Sequence, residues 1–550
     1  MSMGKFSRYW HTLKHLKPAQ FYKRVWFRLY RPRVITLVSV MALRKPKGEW
    51  QLPVARPITM LGPNKFRFLN QINSLPVNHG WNDTGIEKLW LYNLHYFDDL
   101  NASNAFERNS WHKALITRWL FENPPASGNG WESYPTSLRI VNWIKWLSAD
   151  NDPVPGMLES LAIQAGWLAK RLEWHLLGNH LFANAKALVF AGLLFEGSQA
   201  NAWLATGLNI ITRELPEQVL ADGGNFERSP MYHAIFLEDL LDLVNVGSHW
   251  KELATYVSLS LWRETAVSMI GWLANMSHPD GAIGLFNDAA FGVAPSLADL
   301  QAYAARLGVH SRILTIPKIP SISHLADSGY VRLDSEYALA LLDVAPIGPD
   351  YLPGHAHADT LSFELSVFGQ RVVVNGGTSR YGLGSERLYE RSTAAHSTVE
   401  VACHNSSEVW GGFRVARRAY PIDLQLKDES GVLQVGCSHD GYKWLPGAPV
   451  HRREWVMVSE SLLVSDTVSV STYSAVARYI LHPDVQIFTL SNNSWKLILA
   501  DGQILRVLVL VGIGHVDTSS YAPEFGVVLP TQCLAVTLSQ GQARTELFWG

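Results

Sequence analysis

The most constraining feature of this 550-residue sequence is a change in the spacing of its apolar residues near residue 318. Before that point apolar residues recur every three to four positions, which predicts amphipathic helices. After Gly329 they alternate with polar residues, which predicts antiparallel strands joined by Gly, Asp and Asn turns. The sequence therefore predicts a helical domain, with hairpins in a bundle or a ring, followed by an all-β sandwich. The predicted helices cover 106–122, 134–148, 157–175, 180–195, 198–214, 231–246, 251–275 and 296–307.

The first 48 residues differ in composition from the rest of the chain. They contain twelve Lys and Arg residues and no acidic residue, interleaved with aromatic side chains such as Trp10, Trp26 and Phe27. Two interpretations fit: a basic arm that contacts an anionic membrane surface or an acidic polymer, or a helical arm that packs on the body through its aromatic side chains. The predicted domains are a basic aromatic arm (1–48), a helical domain (49–318) and an antiparallel β-sandwich (319–550).

The sequence contains few features that indicate a cellular location. The longest apolar run, from Val34 to Leu43, has ten residues, whereas a membrane-spanning helix needs about 20. We see no cleavable secretion signal, and the three cysteines, Cys403, Cys437 and Cys533, are compatible with a reducing compartment. These observations predict a protein that is cytoplasmic or peripheral to the inner membrane, with no nucleic-acid partner.

Polar side chains cluster in two short stretches of the helical half. The first opens a predicted helix at Asn179 and His180; Asn179 suits a helix cap, but capping does not account for His180. The second is a glycine-rich loop leading into a helix that Pro230 starts, which places Tyr232 in the first turn. The same loop carries Asn225, Glu227 and Arg228.

The β half contributes two further polar stretches. On a strand, His355 and His357 would share one face, and two neighbouring imidazoles followed by Asp359 are unusual as packing residues. The last stretch begins at Asn375 and ends at His396, and the arginines between them suit an anionic ligand. These are Arg380, Arg387 and Arg391.

The combined set of Asn, Tyr, His and Arg contains no evident pair of carboxylates. Glycoside hydrolysis usually requires two acids that flank the scissile bond. In β-elimination on a uronic acid, polar donors stabilise the sugar carboxylate while a Tyr or His removes the C5 proton and another group protonates the departing O4. The residue types therefore favour β-elimination on a uronic-acid-containing polysaccharide.

These residues lie in sequence blocks that resemble the heparinase II/III-like polysaccharide lyases, which include heparan sulfate lyases and alginate lyases. The resemblance runs from about residue 90 to beyond residue 410 and depends on the order and spacing of the blocks. The family fold, an incomplete α/α toroid followed by a layered antiparallel β-sandwich, agrees with the period change. The blocks are WESYPTSLRIVNWIKWL, GNHLFANAKALVFAGLLF, DGGNFERSPMYH, HPDGAIGLFNDA and GHAHADTLSFELSVFGQRVVVNGGTSRYG.

The resemblance implies roles for the polar residues. Asn179, with His180 beside it, is expected to hold the uronate carboxylate. Tyr232 is expected to be the catalytic acid, and in alginate-lyase-like members also the base. His355 would neutralise the carboxylate or serve as the base, and Arg228 would support Tyr232. The expected substrate-binding residues are Asn225, Arg228, Arg380, Arg387 and Arg391.

Many members of the family hold a metal near the sandwich, and the matching positions here are His357, Asn375 and His396. Asn375 stands where the family pattern has an Asp, and a neutral amide is a poorer ligand for a divalent cation. We expect that no cofactor is required. Two alternatives stay open for His357 and His396: they bind a structural divalent ion such as zinc, or they hydrogen-bond into the sheet.

Asn179 and Tyr232 belong to the helical half and His355 to the β half, so they can act together only if the two domains meet at one cleft. Two other functions stay open: a non-catalytic binder of acidic polysaccharide on the same fold, and a toroidal glycoside hydrolase that uses Glu227 with Asp222 or Asp359. The sequence does not specify which polysaccharide is the substrate. Relatives without an export signal suggest a role in exopolysaccharide or capsule metabolism.

Overall fold

The computed structural model describes residues 3–34, 41–76, 80–250, 259–310 and 320–550. Most of the apolar run 34–43, the predicted helix start at 251 and the domain boundary at 318 lie outside these ranges. All but one of the described helices precede residue 310, as the helical spacing predicts. Helices α1–α12 span Met3–Leu13, Pro18–Leu29, Lys88–Tyr96, Asn109–Glu122, Ser133–Ser148, Met157–Leu168, Gly178–Leu194, Ser198–Gln218, Pro230–His249, Leu259–Asn275, Leu297–Arg306 and Ser385–Glu390.

Helix α7 forms the centre of the helical domain. Nearly all of its side chains are buried, because a helix that is apolar on every side avoids water only when other helices surround it. Its neighbours are α5, α6, α8 and α9. The N-terminal end of this central helix, with Asn179 and His180, is thereby held by its neighbours at a defined place.

A small antiparallel sheet precedes α3 and was not predicted. Its three strands are β1 (Met60–Gly62), β2 (Lys65–Phe68) and β3 (Gln71–Ser74). Phe66 and Phe68 point into the core of the helical domain, where Phe68 packs edge-on against Trp90 at 5.0 Å between ring centroids. The strands are too short to give a clear period of two in the sequence.

The described part of the chain after residue 320 forms two large antiparallel sheets and a short two-stranded one, β10–β11. Strands β4–β22 span Ser321–Leu325, Tyr330–Asp334, Ala338–Asp343, Phe363–Val367, Gln370–Val374, Val399–Val401, Val409–Trp410, Arg414–Val415, Pro421–Glu429, Val432–His439, His451–Met457, Ser461–Val468, Ala475–Leu481, Gln486–Ser491, Ser494–Ile498, Ile504–Val511, Ile513–Tyr521, Leu529–Thr537 and Gln542–Phe548. One large sheet has the order β20-β21-β16-β8-β7-β6-β5-β4, with β9 beside β16, and the other β12-β13-β14-β15-β22-β19-β18-β17. Apolar side chains of both large sheets form one common core, as alternating strands predict.

The N-terminal arm forms helices α1 and α2 and contacts the body of the protein. Tyr9 packs edge-on against Trp410 at 5.2 Å, and the Phe27 ring lies 4.2 Å from that of His175. Trp10 and Trp26 instead remain 61% and 58% exposed. Only part of the aromatic set therefore packs on the body. None of the helices in the described ranges is both long and apolar enough to cross a membrane.

Candidate active site

The helical domain and the sandwich meet at Tyr232. Ser229 caps α9 by accepting a hydrogen bond from the Tyr232 N–H at 3.2 Å, and Pro230 occupies the first turn, so the tyrosine sits at the helix start as predicted. Its hydroxyl lies 2.8 Å from the Tyr381 hydroxyl of the β half. Its ring lies 3.8 Å from that of His355, centroid to centroid. Tyr232 of the helical half is thus in direct contact with His355 and Tyr381 of the β half.

His355 lies in a loop and not on a strand as predicted, because the backbone between β6 and β7 forms turns there. The loop nevertheless directs both of its histidines to one carboxylate, that of Asp288. His355 Nδ1 lies 2.9 Å from Asp288 Oδ2, and His357 Nε2 lies 2.8 Å from Oδ1. The buried carboxylate thereby fixes the ring orientation of His355 and leaves its Nε2 toward the site.

The Asp288 carboxylate contacts more than the two histidines. It also forms a two-pronged ion pair with Arg387, whose Nη2 lies 2.7 Å from Oδ2. Burial by itself raises the pKa of Asp288, but the Arg387 guanidinium and the two imidazole donors hold it well below its ordinary value of 3.8. Asp288 is therefore a carboxylate at neutral pH.

Glu227 faces His355 from the helical side. Its Oε2 is buried, accepts no hydrogen bond within the described residues, and lies 3.8 Å from His355 Nε2. Burial raises the pKa of the Glu227 carboxyl, and His355 and His180 partly offset this effect. Gly178 permits the close approach of α7: its φ is +54°, and a Cβ there would lie 3.2 Å from Glu227 Oε1 and 2.4 Å from a Leu352 methyl.

Asn179 and His180 occupy the first turn of α7. The helix begins at Gly178 without a side-chain cap, so Asn179 does not serve as the cap. The Asn179 side chain is partly exposed and makes no hydrogen bond to the residues that the structure describes. His180 Nδ1 lies 3.3 Å from Glu173 Oε2. Burial opposes protonation of His180, but the Glu173 carboxylate outweighs it and raises the pKa, which favours an imidazolium.

Burial raises the pKa of Tyr232 well above its ordinary value of 10, and the nearby Tyr381 hydroxyl adds to the shift. The Tyr232 hydroxyl therefore carries its proton at neutral pH. A phenol in this state is equipped to donate a proton rather than to take one.

An open cavity of about 570 Å³ adjoins His180. This volume falls in the range of about 300–1,000 Å³ that is usual for ligand sites. Its wall is rich in aromatic side chains of the helical domain, and two residues of the N-terminal arm complete it. The aromatic and charged residues of this wall include Phe27, Arg31, Trp131, Tyr134, Arg171 and Glu173.

Three of the predicted substrate-binding residues require correction. Arg387 and Arg391 are fully buried, and their donors are used by Asp288 and by the carbonyl oxygens of Ala356, Gly411 and Gly412. Asn225 is also buried, and its side-chain oxygen accepts the Glu227 N–H at 2.9 Å. The described contacts of these three side chains are with the protein itself, so they support the site from within the fold.

The other two predicted binding residues have different surroundings. Arg228 donates from Nε to the Ser328 carbonyl at 2.8 Å, so its guanidinium supports the domain junction; the described contacts of the Tyr232 hydroxyl are with Tyr381 instead. Arg380 is exposed and makes no hydrogen bond to any described residue. Of the predicted arginines, Arg380 alone offers a free guanidinium at the protein surface, counting only described contacts.

The two predicted metal ligands contact each other. His357 Nδ1 and His396 Nε2 are 3.1 Å apart, and His396 Nδ1 lies 2.7 Å from the Ser392 carbonyl. The Asn375 side-chain oxygen accepts the Ser397 N–H at 3.1 Å. Within the described residues no group of three or more His, Cys, Asp and Glu side chains is arranged to hold a metal ion. This donor set fits a divalent cation poorly.

Sequence reasoning did not assign site roles to Asp288 and Tyr381. Asp288 lies in the quoted block HPDGAIGLFNDA and Tyr381 in NGGTSRYG, so both were inside recognised segments. The only local signal for Asp288 was a polar Asn-Asp pair directly after an apolar run. Their importance arises from contacts across 67 and 149 residues of chain, which local patterns do not encode.

Family models match both halves of the chain. The model described as "Heparinase II/III N-terminus" matches residues 147–305, and "Heparinase II/III-like, C-terminal" matches residues 318–546. The chain belongs to the heparinase II/III-like family. Among individual relatives, the heparin-sulfate lyase of Bacteroides stercoris is 27% identical over 286 residues, which are 48% of this chain and 42% of that protein. The matched part of this chain thus spans less than half of that relative.

Solved structures support the fold assignment. A mutant of the heparan sulfate lyase HepC from Pedobacter heparinus aligns with a TM-score of 0.60 at 18% identity, covering 88% of this chain and 81% of that one. A heparinase III structure aligns with a TM-score of 0.67 at 17% identity, covering 87% and 79%. The predicted heparinase-like fold, an incomplete α/α toroid followed by an antiparallel β-sandwich, is therefore confirmed.

Proposed function

We propose that this protein is a polysaccharide lyase that cleaves a uronic-acid-containing acidic polysaccharide by β-elimination. The observation that carries the proposal is the pairing of a protonated Tyr232 with His355, whose ring is oriented by the Asp288 carboxylate. An acid and a candidate base thus lie side by side at the junction of the two domains. The names of its relatives, heparin-sulfate and heparan sulfate lyases, support the same reaction class.

The proposed reaction proceeds without a metal-dependent step. His355 Nε2 takes the C5 proton, the electron pair forms the C4–C5 double bond, and the bond from C4 to the glycosidic oxygen breaks. Tyr232 donates its proton to the departing oxygen. The free amide of Asn179 and His180, whose pKa is raised by the Glu173 carboxylate, stabilise the negative charge that develops on the uronate carboxylate. Asp288 and Glu227 act through His355 by fixing and flanking its ring.

Glycoside hydrolysis is the weaker hypothesis because two of the three candidate carboxylates already accept hydrogen bonds from the protein. Asp222 accepts the Ser328 N–H at 2.7 Å and the Ser328 hydroxyl at 2.8 Å. Asp359 is buried and accepts the Asn287 N–H at 3.0 Å. Both carboxylates are engaged in holding loops, so Glu227 lacks a free acidic partner within the described residues.

Product absorbance tests the proposed function against the two alternatives. We expect wild-type protein to release a 4,5-unsaturated uronate, which absorbs in the ultraviolet, from at least one acidic polysaccharide in a panel of heparan sulfate, chondroitin sulfate, alginate and the producing organism's exopolysaccharide. New reducing ends without that absorbance would indicate a hydrolase. Binding without cleavage of any member of the panel would indicate a binding protein.

We also propose that the arm contacts an anionic membrane surface. The support is a row of exposed apolar side chains on α1 and α2, combined with the absence of acidic residues among the first 48. Such a surface combines burial of apolar groups at the lipid interface with attraction to anionic headgroups. The exposed side chains are Phe6, Trp10, Leu13, Phe21, Tyr22, Val25, Trp26 and Leu29.

Flotation with liposomes tests this contact. We expect wild-type protein to float with vesicles that contain anionic lipid at low salt, and less at high salt, because salt screens the basic residues. Replacing Trp10 and Trp26 together by Ser is expected to abolish flotation. The paired substitution of Phe106 and Phe121, which are 76% and 86% exposed on the helical domain, serves as a control. Equal flotation of both double variants would leave the arm without a membrane role.

A further inference from the structure

The N-terminal arm spans both domains. Helix α1 contacts the sandwich at the β10–β11 hairpin, where Arg8 pairs with Glu408 at 2.8 Å and the Trp410 indole N–H donates to the Thr12 hydroxyl at 3.0 Å. Helix α2 contacts the loop before His355, where the Gln20 side chain donates to the Tyr351 carbonyl at 3.1 Å. The arm is thus anchored on either side of the domain junction.

The segment after α2 is fixed along the rim of the helical domain. Arg171 Nη1 donates to the carbonyl oxygens of Phe27 and Tyr30 at 2.7 and 2.8 Å, and its guanidinium lies 3.6 Å from the Phe27 ring centroid. The Lys170 ammonium donates to the Arg33 carbonyl at 3.2 Å. These contacts hold Phe27 and Arg31 in the wall of the 570 Å³ cavity that also contains His180.

The acidic residues around this cavity are paired within the protein, whereas some of the basic residues are not paired with any described residue. Its acidic residues are paired: Glu173 with His180 and with the Asn184 amide, and Glu132 with Lys88 at 2.9 Å. Arg31 is exposed and forms no ion pair or hydrogen bond with the described part of the chain, and only Nη1 of Arg171 donates to described residues. Among the described lining residues, the unpaired charge at this end of the cavity is therefore positive.

We infer that the arm completes the substrate cleft, with Phe27 and Arg31 forming a subsite for an anionic sugar unit next to the unit held by Asn179 and His180. The inference rests on the proposed lyase function and extends it. An acidic polysaccharide carries charges on successive units, so a unit beyond the reacting one meets the Arg31 and Arg171 guanidinium groups. The Phe27 ring packs against the Arg171 guanidinium and the His175 ring and so holds the Arg31 segment in the cavity wall.

The test compares Arg31→Gln with Arg33→Gln. Both remove one exposed positive charge from the same short segment, but Arg33 does not line the cavity. We expect Arg31→Gln to raise KM for the cleaved polysaccharide about three- to tenfold with kcat retained, because the lost contact lies away from the reacting bond. Arg33→Gln is expected to keep the wild-type KM.

Binding without turnover supplies the second readout. Heparan sulfate oligosaccharides titrated against Tyr232→Phe, alone and combined with Arg31→Gln or Phe27→Ala, are expected to bind more weakly when either arm residue is changed. Equal KM and affinity for Arg31→Gln and Arg33→Gln, in an active enzyme, would overturn the subsite and leave the lyase function standing. Wild-type protein that neither binds nor cleaves any polysaccharide of the panel would overturn both.

Discussion

Replacing Tyr232 by Phe is expected to leave a folded protein that has lost about 10²- to 10⁴-fold in turnover, the usual contribution of a general acid. The substitution keeps the ring against His355 at 3.8 Å and removes only the hydroxyl that contacts Tyr381. The measurement is the rate of ultraviolet-absorbing product on a confirmed substrate, with the thermal midpoint as a check of folding.

Tyr337→Phe is the matched control for this loss. Tyr337 is 44% exposed in the turn before β6, and its hydroxyl hydrogen-bonds the neighbouring Glu336 at 2.9 Å. Its removal is expected to change neither rate nor stability measurably. A Tyr232→Phe enzyme with nearly the wild-type rate would exclude the tyrosine as the proton donor.

Asp288→Asn is expected to have the largest effect on stability. The substitution keeps the shape of the side chain but leaves the buried Arg387 guanidinium without its counter-ion and His355 without its charged acceptor. Breaking a buried ion pair in this way typically costs about 3–5 kcal/mol. We therefore expect a loss of this order in the free energy of unfolding, measured with urea, together with loss of turnover.

The pH dependence of the free energy of unfolding tests whether the charge of Asp288 causes this loss of stability. Because the pKa of Asp288 in the folded protein lies well below its ordinary value of 3.8, its carboxylate contributes stability above that value, and the contribution falls as acid protonates it. The difference between wild type and Asp288→Asn should therefore be full at neutral pH and shrink below about pH 4. A difference that stayed constant into acid would show that charge is not the cause.

The exposed pair His515–Asp517 provides the control for Asp288→Asn. These side chains are 49% and 55% exposed and lie 3.1 Å apart. Asp517→Asn removes the same charge from a histidine partner in water, where such pairs contribute at most about 1 kcal/mol. Equal destabilisation by the two substitutions would contradict the central role assigned to Asp288.

The order and the type of the two domains follow from the local pattern of apolar residues. Apolar spacing of three to four residues and then of two specifies which faces are buried, and this pattern is local. Local signals also placed Tyr232 correctly, because Ser229 and Pro230 define a helix start by themselves. Asn179 and His180 lie in the first turn of a strongly apolar helix, as the sequence predicts, and their role in the site stays a prediction.

The roles of the charged residues depend on long-range contacts that the fold creates. Arg387 and Arg391 look like ligands for an anion in the sequence, yet both are buried and occupied by protein acceptors. Among the described residues that line the cavity, Arg31 of the arm has no protein acceptor, yet it has no distinguishing local pattern. A guanidinium binds substrate or supports the fold depending on which carboxylate or carbonyl group lies next to it. That partner comes from far along the chain, so the local spacing of apolar residues does not predict it.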